Sequence, residues 1–365
     1  MGEFWDIYDI NRKKTGRTAE RDVYQFKEGE YHIVVTGIIL NSKNEILITK
    51  RASFKKYGGL WECNSGSVLA GETSLEGILR ELKEELGISF NKNDAIFLKE
   101  VERDKAVPDF KDLWIFKKDI DINEISFPDG EATAAKWVTI EEFVQMYEKN
   151  KIVPTIDFGK EEYKLAMQIL RQRNMEKYYN NTESEKPTPN VSCFFKEIGD
   201  NPTRAIDLGC GAGNDTVFLI KNGWDVLAID KENVESRMRK RLDNNQCKKL
   251  RFKQENFEEL ELEKCKVLIA NYSLPFCNKD KFSELWNKIN KSIESNGYFL
   301  GTFLGINDSW KKSKPNMTFF SKEQVIDLFN NFDIIKFKEV EKDGLTGDGN
   351  KKHWHIFIVI AQKKK

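Results

Sequence analysis

The chain has 365 residues, more than one hydrophobic core ordinarily serves, so two domains are expected. Its 59 basic and 59 acidic side chains cancel, which leaves no net field to gather a polyanion and argues against nucleic-acid or membrane-surface binding. The N-terminal MGEFWDIYDINRKK lacks the apolar run of a signal peptide, and no stretch approaches the roughly 20 apolar residues that span a bilayer, so a cytoplasmic location is expected.

In chain order, YHIVVTGIIL (31–40) alternates as a strand, NSKNE turns, and ILITKR (46–51) returns, which predicts a hairpin feeding a loop. GSVLAGETSLEGILRELKEELGI (66–88) then turns helical. Further strands are expected in AIFLKEVE, DLWIFKKDI and AAKWVTI, followed by helices at 140–149 and about 160–176. The polar, proline-bearing EKYYNNTESEKPTPN (176–190) reads as a connection. Beyond it strands and helices alternate, from TRAIDLG through NDTVFLIKNG, WDVLAID and NVESRMRKRLDNN to GYFLGTFLG, which implies a largely parallel sheet with helices on both faces.

In the segment 66–88, Thr73 and Glu76 fit a capping box and Gly87 a left-handed stop, which predicts a helix over 74–86. A helical wheel puts Leu75, Ile78, Leu79, Leu82 and Leu86 on one stripe, facing the core. Glu81, Glu84 and Glu85 lie on the other side, at spacings of three and four. Like charges so placed cost roughly 0.2–0.5 kcal/mol per pair. A divalent cation would offset that cost, because hard oxygen ligands from adjacent turns suit magnesium or manganese. The plain alternative is a solvated acidic face.

The whole pattern resembles the Nudix box, with Gly66, Glu72, Arg80, Glu81, Leu82, Glu84, Glu85, Gly87 and Ile88 at its nine constrained positions. The resemblance to Nudix hydrolases implies an α/β/α sandwich with a mixed sheet. It implies Mg2+ (or Mn2+) bound by Glu81, Glu84 and Glu85 with the carbonyl of Gly66, acting on a small-molecule diphosphate, with Arg80 and Glu72 bracing. A further acid in a later loop would serve as ligand or base, and Glu131 in PDGEATAAKW is the candidate. EFWDIYDINRKKTGR, EGEYHIVVTGIIL and KRASFKKYGGLWE look most like the branch that includes isopentenyl-diphosphate isomerases and their hydrolase relatives. Glycine rather than cysteine starts the box here, Cys63 is displaced from it, and His32 is the one histidine of this half, so hydrolysis is favoured over isomerisation. Lys50 and Arg51 could meet substrate phosphates or could simply be a charged strand end.

In the second half, AIDLGCGAGND (205–215) sets Gly209, Gly211 and Gly213 between a strand and a helix, where backbone can approach a ligand closely. The spacing is not the dinucleotide fingerprint, whose third glycine falls one residue later. Asp230 closes VLAID, Asn256 and Phe257 follow LRFKQE, and Asn271 and Tyr272 close VLIANY. Together these resemble a class I S-adenosylmethionine-dependent methyltransferase, possessing a Rossmann-like, mostly parallel seven-stranded sheet. The resemblance implies that Asp207 and the three glycines hold the methionine moiety, Asp230 the ribose, and Asn256 with Phe257 the adenine, with Asn271 closing the site. A doubly wound domain for another nucleotide is the alternative.

The acceptor is expected to be a small molecule, and the domain looks close to the tellurite-resistance type. The basic RMRKR (237–241) reads as a solvated helix face, and His353 and His355 as either strand-end residues or groups that orient an acceptor. Six cysteines without zinc-finger spacing read as reduced thiols. The expectation is therefore a Nudix domain over 1–172 and a methyltransferase domain over 173–365, of mixed α/β and α+β class, in one bifunctional enzyme. The rival is a regulatory protein that senses a nucleotide without turnover.

Overall fold

The computed structural model describes residues 2–101, 109–184, 186–197, 202–347 and 349–365. The chain divides into two compact units, Met1–Gln172 and Arg173–Lys365. The first opens with an antiparallel hairpin of β1 (Phe4–Tyr8) and β2 (Lys14–Glu20). Its main sheet contains β3 (His32–Leu40), β4 (Ile46–Arg51), β5 (Trp61–Glu62), β6 (Asn64–Ser67), β7 (Ala95–Val101), β8 (Asp109–Lys117) and β9 (Ala132–Val138). The order is β5-β4-β3-β8-β7, with β6 also on β3 and β9 also on β4, and β3 and β8 run parallel.

Three helices follow from the same sequence: α1 (Ser74–Leu86), α2 (Ile140–Glu148) and α3 (Lys160–Thr182). Helix α1 packs Ile78, Leu82 and Leu86 on one sheet face with Val35, Leu47 and Phe116. On the other face Phe143 of α2 and Ala166 and Leu170 of α3 meet Ile38, Ile48, Leu113 and Ile115. Each fully buried Ile or Leu contributes about 1.5–3 kcal/mol. Gly37 of β3 lets α1 settle this closely, since a Cβ there would stand 3.1 Å from both Ile78 and Leu82.

The second unit adds helices α4 (Pro189–Glu197), α5 (Asn214–Lys221), α6 (Glu235–Arg239), α7 (Asn244–Cys247), α8 (Phe282–Ser292), α9 (Trp310–Ser313) and α10 (Lys322–Leu328). Its strands are β10 (Arg204–Leu208), β11 (Asp225–Asp230), β12 (Leu250–Gln254), β13 (Cys265–Ala270), β14 (Ile293–Leu304), β15 (Phe332–Leu345) and β16 (Lys351–Lys363). They form a seven-stranded sheet in the order β12-β11-β10-β13-β14-β16-β15. The first five are parallel, while β16 runs antiparallel to both β14 and β15. Trp286, Phe299, Phe303 and Phe329 fill one face, and Tyr179, Phe194, Trp224 and Met238 lie in the core on the other.

Four expectations need correction. The 31–51 hairpin is paired only at its turn, at Leu40 and Ile46, because β6 and β8 flank β3 while β5 and β9 take β4. Helix α3 runs on to Thr182, through residues expected to link domains, because Tyr179 is buried and Arg237 pairs with Glu176 and Glu183. The single helix expected around 233–245 breaks into α6 and α7, where Asp243 caps the second one with Gln246. RMRKR is only partly solvated, since the Arg237 and Arg241 side chains are 19% and 8% exposed and both are bonded to neighbouring segments.

Candidate functional site

The cap geometry of α1 is the expected one, with Thr73 and Glu76 bonded reciprocally and Gly87 at φ 71°. Beneath the helix, β6 turns Asn64 and Gly66 toward Glu85 and Glu81. The Glu81 carboxyl occupies the space that a Cβ on Gly66 would take, so a side chain at position 66 would displace it. Asn64 donates from Nδ2 to Glu85 Oε2 at 2.6 Å, and its own Oδ1 is buried without a hydrogen-bond partner. Arg80 fans out to Glu72 (2.9 and 3.1 Å), Glu81 (2.8 Å), Glu84 (2.9 Å) and the carbonyl of Ser67 (2.8 Å). Glu72 also accepts from the Leu69 N–H at 3.0 Å, which ties the loop to the helix.

The three glutamates are therefore not one solvated face. Glu85 is buried, Glu81 is half-buried, and only Glu84 is substantially exposed. Burial pushes the Glu85 carboxyl well above the usual range against the Asn64 bond, and the charges of Glu62, Glu81 and Asp129 add to the rise. Burial likewise raises Glu81, with Arg80 opposing. Among the described residues, no three acidic, histidine or cysteine side chains stand as a ready metal cluster. Arg80 holds Glu81 and Glu84, and Asn64 holds Glu85, so the carboxylates are spread among these donors.

Glu131 lies just before β9 and pairs with Lys55. Arg51 is committed to Glu62 at 2.6 Å and to the Lys56 carbonyl, so it serves the scaffold. Sequence reasoning missed Glu62 and Asp129, whose charges reach Glu85 from elsewhere in the fold. Cys63 belongs to the core cluster on the face opposite α1, and burial raises its thiol. His32 stacks on Trp5 at 4.4 Å.

In the second unit the glycine loop leaves β10 and enters α5. Gly209, Gly211 and Gly213 all have positive φ, at 72°, 54° and 76°. Gly209 is pressed on Ser273 and Gly213 on Met238, so neither position admits a Cβ. Asp230 receives the N–H groups of Gly211 (2.9 Å) and Glu232 (3.0 Å), closing the loop onto β11. Asp207 is buried at the floor, accepting from Thr216 Oγ1 at 2.6 Å, and burial followed by the charge of Asp215 raises it. Asp230 is also raised by burial.

Asn271 donates to Asp215 and Thr188, both at 2.8 Å, and accepts from Asn190 at 2.7 Å. Asp215 also takes the Thr188 N–H at 2.6 Å. Arg241 bonds the carbonyls of Ala212 and Ser184 and Asn214 Oδ1, fixing the far side of the loop. Phe257 packs against the core, with Cζ 3.5 Å from where a Gly209 Cβ would be, while Asn256 is exposed. Thr188, Asn190, Asp215 and Arg241 were not foreseen. Asp215 stood in the quoted motif, but its partners come from other segments. His353 and His355 share a face as expected, each held by carboxylates of β15: His353 by Asp343 (2.8 Å) and Glu341 (3.2 Å), His355 by Glu339 (3.0 Å).

The family model for the NUDIX domain matches residues 30–156, and that for Tellurite resistance protein TehB matches residues 170–354. A Nudix hydrolase of Listeria monocytogenes, itself uncharacterised, is 33% identical over 156 residues, which is 42% of this chain and 89% of that protein. An isopentenyl-diphosphate Delta-isomerase of Pectobacterium atrosepticum is 36% identical over a shorter 84 residues, 22% of this chain and 46% of that protein. The crystal structure of TehB from Haemophilus influenzae is similar at TM-score 0.42 and 15% identity, covering 52% of this chain and 67% of that one. Fold and site thus define a two-domain enzyme, a hydrolase domain followed by a Rossmann-like methyltransferase domain. The chain belongs to the Nudix family through its first part and to the TehB methyltransferase family through its second.

Among the described residues no helix is long and apolar enough to cross a membrane.

Proposed function

We propose that the chain is a bifunctional enzyme, in which the Nudix domain hydrolyses a small diphosphate of nucleoside-diphosphate type with a divalent metal and the second domain methylates a small molecule from S-adenosylmethionine. The observation that carries the first half is the seating of Glu81 over Gly66 beside the buried Glu85. The buried Glu85 carboxyl, the half-buried Glu81 carboxyl and an orphan Asn64 oxygen form a hard, oxygen-rich donor set, which fits Mg2+ or Mn2+. Held by Glu81, Glu84, Glu85 and the Gly66 carbonyl, such an ion would polarise the diphosphate and acidify a water for attack at phosphorus. Asn64 keeps Glu85 aimed, Arg80 braces loop to helix through Glu72, and Glu131 is the candidate base. Cys63, buried in the opposite core, speaks for hydrolysis over isomerisation.

For the methyltransferase half, Asp230 presents carboxylate oxygens to ribose hydroxyls, while its bond to the Gly211 N–H holds the loop in shape. Asp207, the glycines and Asn271 would frame the methionine moiety, and Asn256 with Phe257 the adenine. In-line transfer needs alignment and exclusion of water more than it needs an acid or base. The test has two arms. A metal-supplemented panel of nucleoside diphosphate sugars, dinucleotides and isoprenoid diphosphates should yield turnover of at least one compound. S-adenosylmethionine should bind, and Asp230→Ala should weaken it about 10–100-fold, the loss of charge-assisted hydrogen bonds. Binding of diphosphates without cleavage, or unchanged affinity in the variant, would sink the corresponding half.

A further inference from the structure

The segment that follows β13 is clamped on three successive residues. Asn271 bonds Asp215 at 2.8 Å, the Tyr272 N–H meets Thr302 Oγ1 at 2.5 Å, and Ser273 Oγ donates to the Leu208 carbonyl at 2.5 Å. These contacts hold Tyr272 at φ 54°, a conformation that a tyrosine adopts only when its surroundings impose it. The residue stays 45% exposed, next to Ser273, which packs on Gly209 of the glycine loop.

From Tyr272 a chain of rings continues across the same end of the sheet, where β13 and β14 terminate. Tyr272 meets Trp354 edge-on at 6.2 Å, Trp354 meets Trp310 at 5.8 Å, and Trp310 meets Phe276 at 6.0 Å, with Phe276 51% exposed. Trp354 belongs to the start of β16, where the register with β14 places it beyond the C-terminal end of that strand. The arc thus adjoins the loop proposed to hold the cofactor.

We propose that this arc is the platform for the methyl acceptor, and that the acceptor is a flat aromatic molecule, neutral or anionic. The proposal rests on the S-adenosylmethionine reading of the neighbouring loop. Tyr272 and Phe276 offer exposed rings at the two ends of the arc, with the partly buried indoles between them, and a flat ring suits such a surface. The preference against a cation follows from the ammonium groups of this chain that already sit on the indoles. Lys352 Nζ is 4.2 Å from both the Trp310 and Trp354 centroids, and Lys314 Nζ is 3.6 Å from Trp310. Lys352 is itself paired with the buried Asp308, so it is the occupied cation positions over the indoles, and not a net positive field, that disfavour a cationic acceptor.

The nearby histidines are also spoken for. His355 accepts the Asn307 N–H at 3.2 Å through Nδ1 and meets Glu339 through Nε2, and His353 has a carboxylate on each nitrogen. The acceptor therefore brings its own nucleophile, an ionised oxygen or sulfur or a ring-nitrogen lone pair. That atom bonds the methyl carbon as the carbon–sulfur bond breaks. The bonding pair goes to sulfur, which turns from sulfonium to neutral thioether, and any proton on the acceptor passes to water.

The test uses the full chain with S-adenosylhomocysteine present and three probes: naphthol, hydroxynaphthoate and naphthylmethylammonium. Binding is read by calorimetry in wild type, Tyr272→Asn and Phe276→Ala. Asparagine tolerates the left-handed backbone, and the exposed Phe276 guards against a folding artefact. Naphthol or hydroxynaphthoate should bind saturably and about tenfold more weakly in each variant, with the cation weakest and S-adenosylmethionine affinity unchanged. If S-adenosylmethionine binds but neither ring compound does, or the variants bind them like wild type, the platform is wrong. Methylation of selenite at the same rate in all three proteins would likewise overturn it in favour of an inorganic oxyanion. Failure of S-adenosylmethionine itself to bind would overturn the underlying reading, and the platform with it.

Discussion

Gly66 and Glu81 share one volume: the carboxyl of the glutamate lies where a side chain on the glycine would begin. The two are fifteen positions apart in sequence, on β6 and α1, and the strand pairing of Gly66 with Val35 fixes the contact. A glycine here is required by a neighbouring carboxylate and not by backbone strain.

Gly66→Ala should therefore fold nearly normally, since the group in the way is the far end of a flexible side chain. Glu81 should be pushed off its position, and hydrolysis should fall about a hundredfold, the usual cost of misplacing a catalytic group by an ångström. Steady-state turnover with magnesium, beside a thermal melt, measures both. Full activity in the alanine variant would show that the seating of Glu81 does not matter.

The second unit makes a prediction about pH. Asp207 sits above the usual carboxylate range because of burial first and the charge of Asp215 second, so the folded chain binds that proton more tightly than the unfolded chain does. The resulting penalty is absent below the unfolded value, about pH 4, and grows as pH rises above it. Asp207→Asn keeps an acceptor for the Thr216 hydroxyl and removes the charge. Its melting temperature should gain on wild type between pH 4 and neutrality. A difference that does not change with pH would refute the assignment.

Arg241 carries a structural prediction. Its guanidinium serves Ala212, Ser184 and Asn214 from a side chain only 8% exposed. Arg241→Ala should cost about 1–3 kcal/mol through acceptors left unpaired. It should also loosen the glycine loop and weaken S-adenosylmethionine binding. Chemical denaturation and calorimetry read the two effects separately, and a variant as stable as wild type would contradict the network.

What was legible in the sequence was local. The capping box of Thr73 and Glu76, the stop at Gly87 and the positive-φ glycines at 209, 211 and 213 each depend on a few adjacent residues. What was not legible depends on register between distant strands. Asn64 meets Glu85 only because β6 lies under α1, and Glu62 joins their field through β5. Asp215 was visible in GAGND, but its meaning needs Thr188 and Asn271 from two other segments. The β1–β2 hairpin went unforeseen because KTGRTAE has no apolar alternation; its residues are exposed until Ala19.

The most direct test of the central claim is diphosphate hydrolysis with magnesium by wild type and by Glu85→Gln. The variant keeps the shape and the capacity to bond Asn64 but loses the charge that the metal requires. Hydrolysis should depend on metal in the wild type and fall at least about a hundredfold in the variant. Equal product from the two proteins would contradict it.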